Sequence, residues 1–89
     1  MRQIKVSKKF KKDYLKTKKQ GRNLKKFKLI VDKLCIGSKL DGKHRLHKLT
    51  GGYEDALECH IEPDWLLIFK ITDNYVELIR MGSHSELFD

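Results

Sequence analysis

Proline is almost absent from this chain: Pro63 is the only one in 89 residues. With so little proline, and with no Ser- or Gly-rich tract, a collagen-like chain or a Pro-rich linker is excluded. Cysteine is also scarce. Cys35 and Cys59 are the only two, too few for the disulfide framework of a small secreted scaffold. Their positions suit small buried apolar residues, so both are expected to be reduced and structural. Long apolar runs are missing as well. The longest runs from Trp65 to Phe69, far below the roughly 20 residues of a membrane span. The first residues, Met1-Arg2-Gln3-Ile4-Lys5-Val6, lack a signal-peptide core, so the cytoplasm is the expected compartment. No repeat of 20–50 residues is visible.

What the first half lacks is acid. Residues 1–50 carry 18 Lys/Arg against Asp13, Asp32 and Asp41, a balance of +15. Residues 51–89 carry only Lys70 and Arg80 against nine acids, a balance of −7, which leaves the net +8. A surface this cationic on so small a domain points to a polyanion, nucleic acid before membrane. The alternative is that the lysines only solubilise helices. Apolar residues make up 39% and charged residues 36%, enough for a modest core in a single domain spanning 1–89.

The pattern along the chain predicts β-α-α-β-β-β, an α+β domain with two helices on one face of a small antiparallel sheet. Ile4–Val6 is a short strand, and Ser7 caps a helix whose Phe10, Tyr14 and Thr17 share a face. Gly21 stops it. Asn23 caps a second helix with Leu24, Phe27, Val31 and Leu34 on one stripe, Ile30 alongside and Gly37 as its stop. Residues 37–52 form a long connection carrying His44 and His47, of a length that tends to be functional or to hide a short strand. From residue 56 the period changes to 2. Strands are predicted over 56–62, 65–72 and 75–81, joined by the two-residue turns Pro63-Asp64 and Asp73-Asn74.

Two-residue turns set a register. It aligns Cys59, Ile68 and Ile79 in one row and Ile61, Leu66 and Met81 in another, making the apolar face that receives the helices. The opposite face carries His60, Leu67 and Arg80 in a row, with Glu58, Glu62 and Trp65 around it. His60 and Arg80 then sit two strands apart, about 10 Å between backbones. Their side chains are long enough to converge on one small group beside the turn bearing Asp64. A one-residue slip would destroy this arrangement. Read blandly, Arg80 pairs with Glu58 or Glu62, His60 is an ordinary strand residue, and Asp64 serves only the turn.

The segment Glu58-Cys59-His60-Ile61-Glu62-Pro63-Asp64-Trp65-Leu66-Leu67-Ile68-Phe69-Lys70, followed by Arg80-Met81-Gly82-Ser83-His84-Ser85-Glu86-Leu87-Phe88, resembles the YafQ-like branch of the RelE/ParE superfamily, toxins of bacterial type II toxin–antitoxin systems. A further segment, His47-Lys48-Leu49-Thr50-Gly51, stands 13 residues before His60, as in that family. Lys48 replaces the usual Pro, and Tyr53-Glu54-Asp55-Ala56-Leu57 replaces a stretch that is normally aromatic and basic. The resemblance covers essentially the whole chain. It implies a bacterial, cytoplasmic, ribosome-dependent endoribonuclease that cuts mRNA without metal or other cofactor and is held by a cognate antitoxin. It marks His47, His60, Asp64, Arg80, His84 and Phe88 as functional, with Trp65 beside them.

RNA carries its own nucleophile, the 2′-hydroxyl. Cleavage needs a base, an acid and a cation for the phosphorane charge. Under this reading His60, His84 and Asp64 form the acid–base group and Arg80 stabilises the transition state. His47 contacts phosphate or assists proton transfer. Trp65 and Phe88 stack on or position a base, and Lys43, Arg45 and Lys48 are candidate RNA contacts. The lysine-rich helices would meet ribosomal RNA or an acidic antitoxin. A zinc site from Cys59, His60, His84 and His47 is disfavoured, because no CxxC or HxxxH spacing exists and Cys59 and His60 point to opposite faces. Two other readings remain: a non-enzymatic RNA- or ribosome-binding protein, and a gyrase-directed toxin of the ParE type.

Overall fold

The computed structural model describes residues 1–49 and 55–88. In chain order the elements are β1 (Gln3–Val6), α1 (Lys8–Lys19), α2 (Leu24–Ile36), one 3-10 turn (Gly42–His44), β2 (His47–Lys48), β3 (Leu57–Glu62), β4 (Trp65–Ile71), β5 (Tyr75–Gly82) and α3 (His84–Phe88). Capping starts both long helices where the sequence places them. The Ser7 hydroxyl oxygen accepts the Phe10 N–H at 2.9 Å, and Asn23 Oδ1 accepts the Lys25 N–H at 3.1 Å. Gly37 ends α2 with φ 76°, and the Ser38 N–H then donates back to the Lys33 carbonyl at 2.9 Å.

The five strands lie in the order β1-β5-β4-β3-β2. The sheet is mixed, where the sequence suggested an antiparallel one. The three hairpin-related pairs are antiparallel, but β1 adds to β5 in parallel, Gln3 opposite Tyr75 and Val6 opposite Leu78. Arg2 anchors this edge. Its Nε donates to the Thr72 carbonyl and its Nη1 to the Leu34 carbonyl, both at 2.8 Å, so a cation also sits on the carbonyl end of α2. The long connection hides the strand β2, and the residues after Gly82 form helix α3, which the expected β-α-α-β-β-β order lacks. Residues Thr50 to Glu54, with the Gly51-Gly52 pair and part of the departure at Glu54-Asp55, lie outside the described residues.

The predicted register holds at the turns and fails inside the strands. Glu62 pairs with Trp65 and Phe69 with Leu78, as expected. Between them two single-residue irregularities intervene, at Ile61 in β3 and at Ile79 in β5. Each shifts the pairing by one residue, and such a shift moves side chains to the other face. The observed rows are Cys59–Leu67–Met81 and Leu57–Phe69–Leu78 toward the helices, and Glu58–Ile68–Arg80 and His60–Leu66–Gly82 on the other side. β4 is therefore inverted relative to expectation, while β3 and the site end of β5 keep their faces. Trp65, expected beside His60, belongs to the helix-packed core and is fully buried. Leu66 and Ile68, expected in that core, are buried outside it. A run apolar at every position offers no alternation from which to tell the two faces apart.

Against the sheet, Phe10 from α1 and Ile30, Val31, Leu34 and Cys35 from α2 close the core, with Tyr14, Leu24 and Phe27 at its margin. These are the stripes read from the sequence. Among the described residues, no helix is long and apolar enough to cross a membrane.

Helix α3 is fastened by a reciprocal cap. Ser83 N–H donates to Glu86 Oε1 at 2.8 Å and the Glu86 N–H to the Ser83 hydroxyl at 3.2 Å. Glu86 also pairs with Lys16 of α1 at 2.6 Å. Lys16 first, then the Ser83 N–H, hold the Glu86 carboxyl at about 2, below its ordinary 4.5. A depressed carboxylate stabilises the fold above its unfolded value and loses that contribution as pH falls toward 2. The stability deficit of Glu86→Gln, measured by thermal melts, is expected to be present at pH 6 and to shrink between pH 4.5 and 2. A deficit constant with pH would contradict the ion pair.

Both cysteines are free and buried. Burial, with the neighbouring Glu58 carboxylate, pushes the Cys59 thiol up to about 12. Neither thiol is expected to react with a thiol reagent at pH 8 until denaturant is added. Rapid labelling of Cys59 in the folded protein would contradict its placement.

Candidate active site

The face of the sheet away from α1 and α2 carries one group of side chains, and the β3–β4 turn with α3 carries a second. The first centres on Glu58, buried at 6% exposure. Its Oε1 lies 3.1 Å from His47 Nε2 and 3.8 Å from His60 Nε2. The two imidazoles stand 6.2 Å apart between centroids. β2 brings His47 here by pairing it with Glu58, and the alternation along β3 brings His60 to the same side. Backbone carbonyls orient both rings. His47 Nδ1 is 2.6 Å from the Arg45 carbonyl oxygen and His60 Nδ1 is 3.1 Å from that of Pro63. His44, noticed in the sequence but given no role, sets its own Nδ1 2.8 Å from the His60 carbonyl oxygen and so docks the 3-10 turn onto β3.

The second group is Asp64, His84 and Phe88. Asp64, in the β3–β4 turn, bonds no histidine ring among the described residues. Its Oδ1 accepts the backbone N–H of His84 at 3.1 Å and so ties the turn to the first residue of α3. The His84 and Phe88 rings lie 5.0 Å apart on this exposed helix, Phe88 at 40% exposure. The two groups meet at the turn, because the Pro63 carbonyl that holds His60 precedes Asp64 directly.

Arg80 shares the row of Glu58 through Ile68, two strands away. Its Nε and Nη2 donate to the two carboxylate oxygens of Asp13 at 2.7 and 3.1 Å. This bidentate pair is only 13–19% exposed. Asp13 Oδ2 also accepts the Met81 N–H at 3.0 Å. β1 ends at Val6, so beyond it the edge of β5 has no strand partner among the described residues, and α1 supplies Asp13 there. Neither Glu58 nor Glu62 takes the role of Arg80's partner that the bland reading offered. Glu62 instead pairs with Lys26 at 2.8 Å and Arg22 at 3.8 Å. Asp13 was missed as a site residue, although a signal existed: it is the sole acid in a helix with seven lysines.

The remaining candidates fall around these groups. Lys43 lies in the 3-10 turn, Arg45 follows it with φ 48°, and Lys48 pairs with Leu57 on the outer strand; all three are exposed. Arg45 thus adopts a left-handed backbone that side chains disfavour, in the segment that aims His47. Trp65 cannot offer its ring face to a base from within the core. Its Nε1 is buried without a partner among the described residues, and the Arg22 guanidinium lies 5.4 Å from the ring centroid. Among the described residues, no group of three or more His, Cys, Asp or Glu is arranged to hold a metal ion.

Comparison with known proteins agrees with this architecture. The profile of a family described as "Bacterial toxin of type II toxin-antitoxin system, YafQ" matches residues 2–89. The chain is 32% identical over 88 residues to the mRNA interferase toxin YafQ of Escherichia coli K12, covering 98% of this chain and 96% of that protein. It superposes on the toxin in a crystal structure of the E. coli DinJ–YafQ complex with a TM-score of 0.92 at 31% identity, covering all of both chains. A metal-bound toxin from Helicobacter pylori gives a TM-score of 0.93 at 43% identity, covering 99% of this chain and 100% of that one. With a family match over nearly its full length and the same fold, this chain belongs to the YafQ family of bacterial type II toxin–antitoxin toxins.

Proposed function

We propose that this protein is an endoribonuclease that cleaves mRNA on the ribosome by attack of the substrate's own 2′-hydroxyl, and that a cognate antitoxin restrains it. The observation that carries the reading is the gathering of His47 and His60 around Glu58 in the row of Arg80, with the adjoining turn tied through Asp64 to the start of α3, which bears His84. The name of the E. coli relative, an mRNA interferase, agrees with it. In this account His60 and His84 exchange protons with the 2′-hydroxyl and the leaving 5′-oxygen. Asp64 holds His84 in place through the helix backbone. Arg80, clamped by Asp13, presents fixed positive charge to the phosphorane. His47, Lys43, Arg45 and Lys48 meet the phosphates, and Phe88 stacks on a base. Trp65 serves as core support for the strand rather than as a stacking surface. Because the nucleophile is the substrate's and the proton carriers are side chains, the step requires no metal.

The exposed lysines of α1 and α2 offer a surface suited to the phosphate backbone of ribosomal RNA. Crystal structures of E. coli YafQ with DinJ make an antitoxin the natural partner of this chain also. The protein acts in the bacterial cytoplasm, as one domain.

His60→Ala and His84→Ala are each expected to lower mRNA cleavage by about 10²–10⁴-fold while circular dichroism stays unchanged. Undiminished cleavage in both variants would defeat the proposal. The products should end in 2′,3′-cyclic phosphate and persist in EDTA; strict dependence on a divalent ion would point to different chemistry. RNA binding with no cuts would favour a non-enzymatic module. Asp13→Asn should cost about 1–2 kcal/mol in denaturant unfolding and lower cleavage about tenfold, because Arg80 loses its clamp. A fully active Asp13→Asn would remove Asp13 from the account.

A further inference from the structure

β2 is only two residues long, yet it has to hold His47 beside His60. Its register sets His47 opposite Glu58 and Lys48 opposite Leu57. The Leu49 N–H donates to the Ala56 carbonyl at 3.0 Å and continues the ladder at one end. At the other end the same register leads to Arg45 opposite His60, because paired positions in an antiparallel ladder step in opposite directions. Bonded pairs alternate with unbonded ones, and the bond at Leu49–Ala56 makes Arg45–His60 a position for a bonded pair.

That pair is absent among the described residues. Arg45 has φ 48°, which turns the chain off the strand path, and its N–H donates to the Gly42 carbonyl at 3.1 Å instead. The two carbonyls of the lost pair are each met by an imidazole. His44 Nδ1 lies 2.8 Å from the His60 oxygen, and His47 Nδ1 lies 2.6 Å from the Arg45 oxygen. A carbonyl oxygen only accepts, so in both bonds Nδ1 is the donor. Two side-chain bonds thus stand where two ladder bonds would have been. His44 also belongs to a turn closed on itself, its own N–H donating to the Asp41 carbonyl at 3.0 Å. Fixing the His44 ring on β3 therefore fixes Arg45, and the Arg45 carbonyl aims the His47 ring.

We infer that His44 is a positioning residue for the histidine pair: its imidazole replaces the missing rung and sets where the His47 ring stands relative to His60. The inference deepens the nuclease reading and rests on it for its effect on cleavage. His44 touches neither RNA nor the reacting atoms in this account. Without its bond, β2 is held at the far end only, residues 42–46 lift from β3, and His47 swings away from His60. A misplacement of about 1 Å in a reacting geometry costs on the order of 10²-fold in rate.

The test joins cleavage kinetics with NMR of the free, full-length protein. His44→Phe keeps a ring and removes the donor. His44→Asn places an amide N–H where Nδ1 stands, and His44→Gln places one where Nε2 stands. The expected result for His44→Phe is a single-turnover cleavage rate on saturating ribosome-bound mRNA lowered about 10–100-fold, with the half-saturating concentration unchanged. His44→Asn should recover most of the rate, and His44→Gln should not. In carbon–proton spectra without RNA, the His47 ring signals should move in His44→Phe and His44→Gln and keep their wild-type positions in His44→Asn. A full rate in His44→Phe, a loss confined to the half-saturating concentration, an equal loss in His44→Asn, or unmoved His47 signals in His44→Phe would each overturn the inference. If His44→Phe does not fold, the comparison of His44→Asn with His44→Gln carries the test, and equal behaviour of those two would overturn it. The spectra need no RNA and so decide the placement of His47 whether or not the protein cuts. Failure of the nuclease reading is read separately, as absence of cleavage by the wild-type protein.

Discussion

The arrangement depends on two extra residues in the sheet. The irregularities at Ile61 and Ile79 shift β3 and β5 against β4 by one position each, and in the same sense for the faces. With both in place, Trp65, Leu67 and Phe69 enter the helix-packed core while Glu58, His60 and Arg80 stay together on the far side. Losing one bulge would move a whole strand's side chains through the sheet, so register here carries the site as well as the core. Bulges are often found beside functional sites for this reason: they re-aim a side chain without altering the strand that bears it.

Charge sits unevenly in the chain, and the fold uses the unevenness. The acids of the second half fasten the sheet and α3 to the basic helices: Glu62 takes Lys26 and Arg22, and Glu86 takes Lys16. One acid of the first half works in the opposite direction, Asp13 holding Arg80. The exposed pairs among these, those of Lys16 and Lys26, contribute little singly. Their effect is to fix the seams between α1, α2, the β3–β4 turn and α3, where the proposed catalytic groups meet. Many lysines on the outer faces of the helices remain exposed, which gives the net charge a place as well as a sign.

Much of this was readable in the sequence. Ser7, Asn23 and Gly37 marked helix ends by side-chain chemistry or glycine's freedom at positive φ, and the stripes of α1 and α2 gave their buried faces. Pro63-Asp64 and Asp73-Asn74 marked the turns, and the motif segments pointed to the family. The faces of β4 were not readable, since a strand buried on both sides shows no alternation and a bulge leaves no consistent residue signature. The parallel pairing of β1 depends on contacts more than 70 residues apart, Gln3 opposite Tyr75, beyond any local pattern. Asp13 and the His47–Glu58–His60 arrangement were hidden for the same reason, being products of register and of helix placement rather than of spacing along the chain.

The central claim is that this sheet face cuts messenger RNA during translation. The most direct measurement is a transcriptome-wide map of RNA 5′ ends after induced expression in a bacterium. The account predicts new ends within coding sequences, in phase with codons and abolished by His60→Ala. A map without new ends in cells whose growth is arrested, or one whose arrest is accompanied by DNA-damage signalling instead, would contradict it.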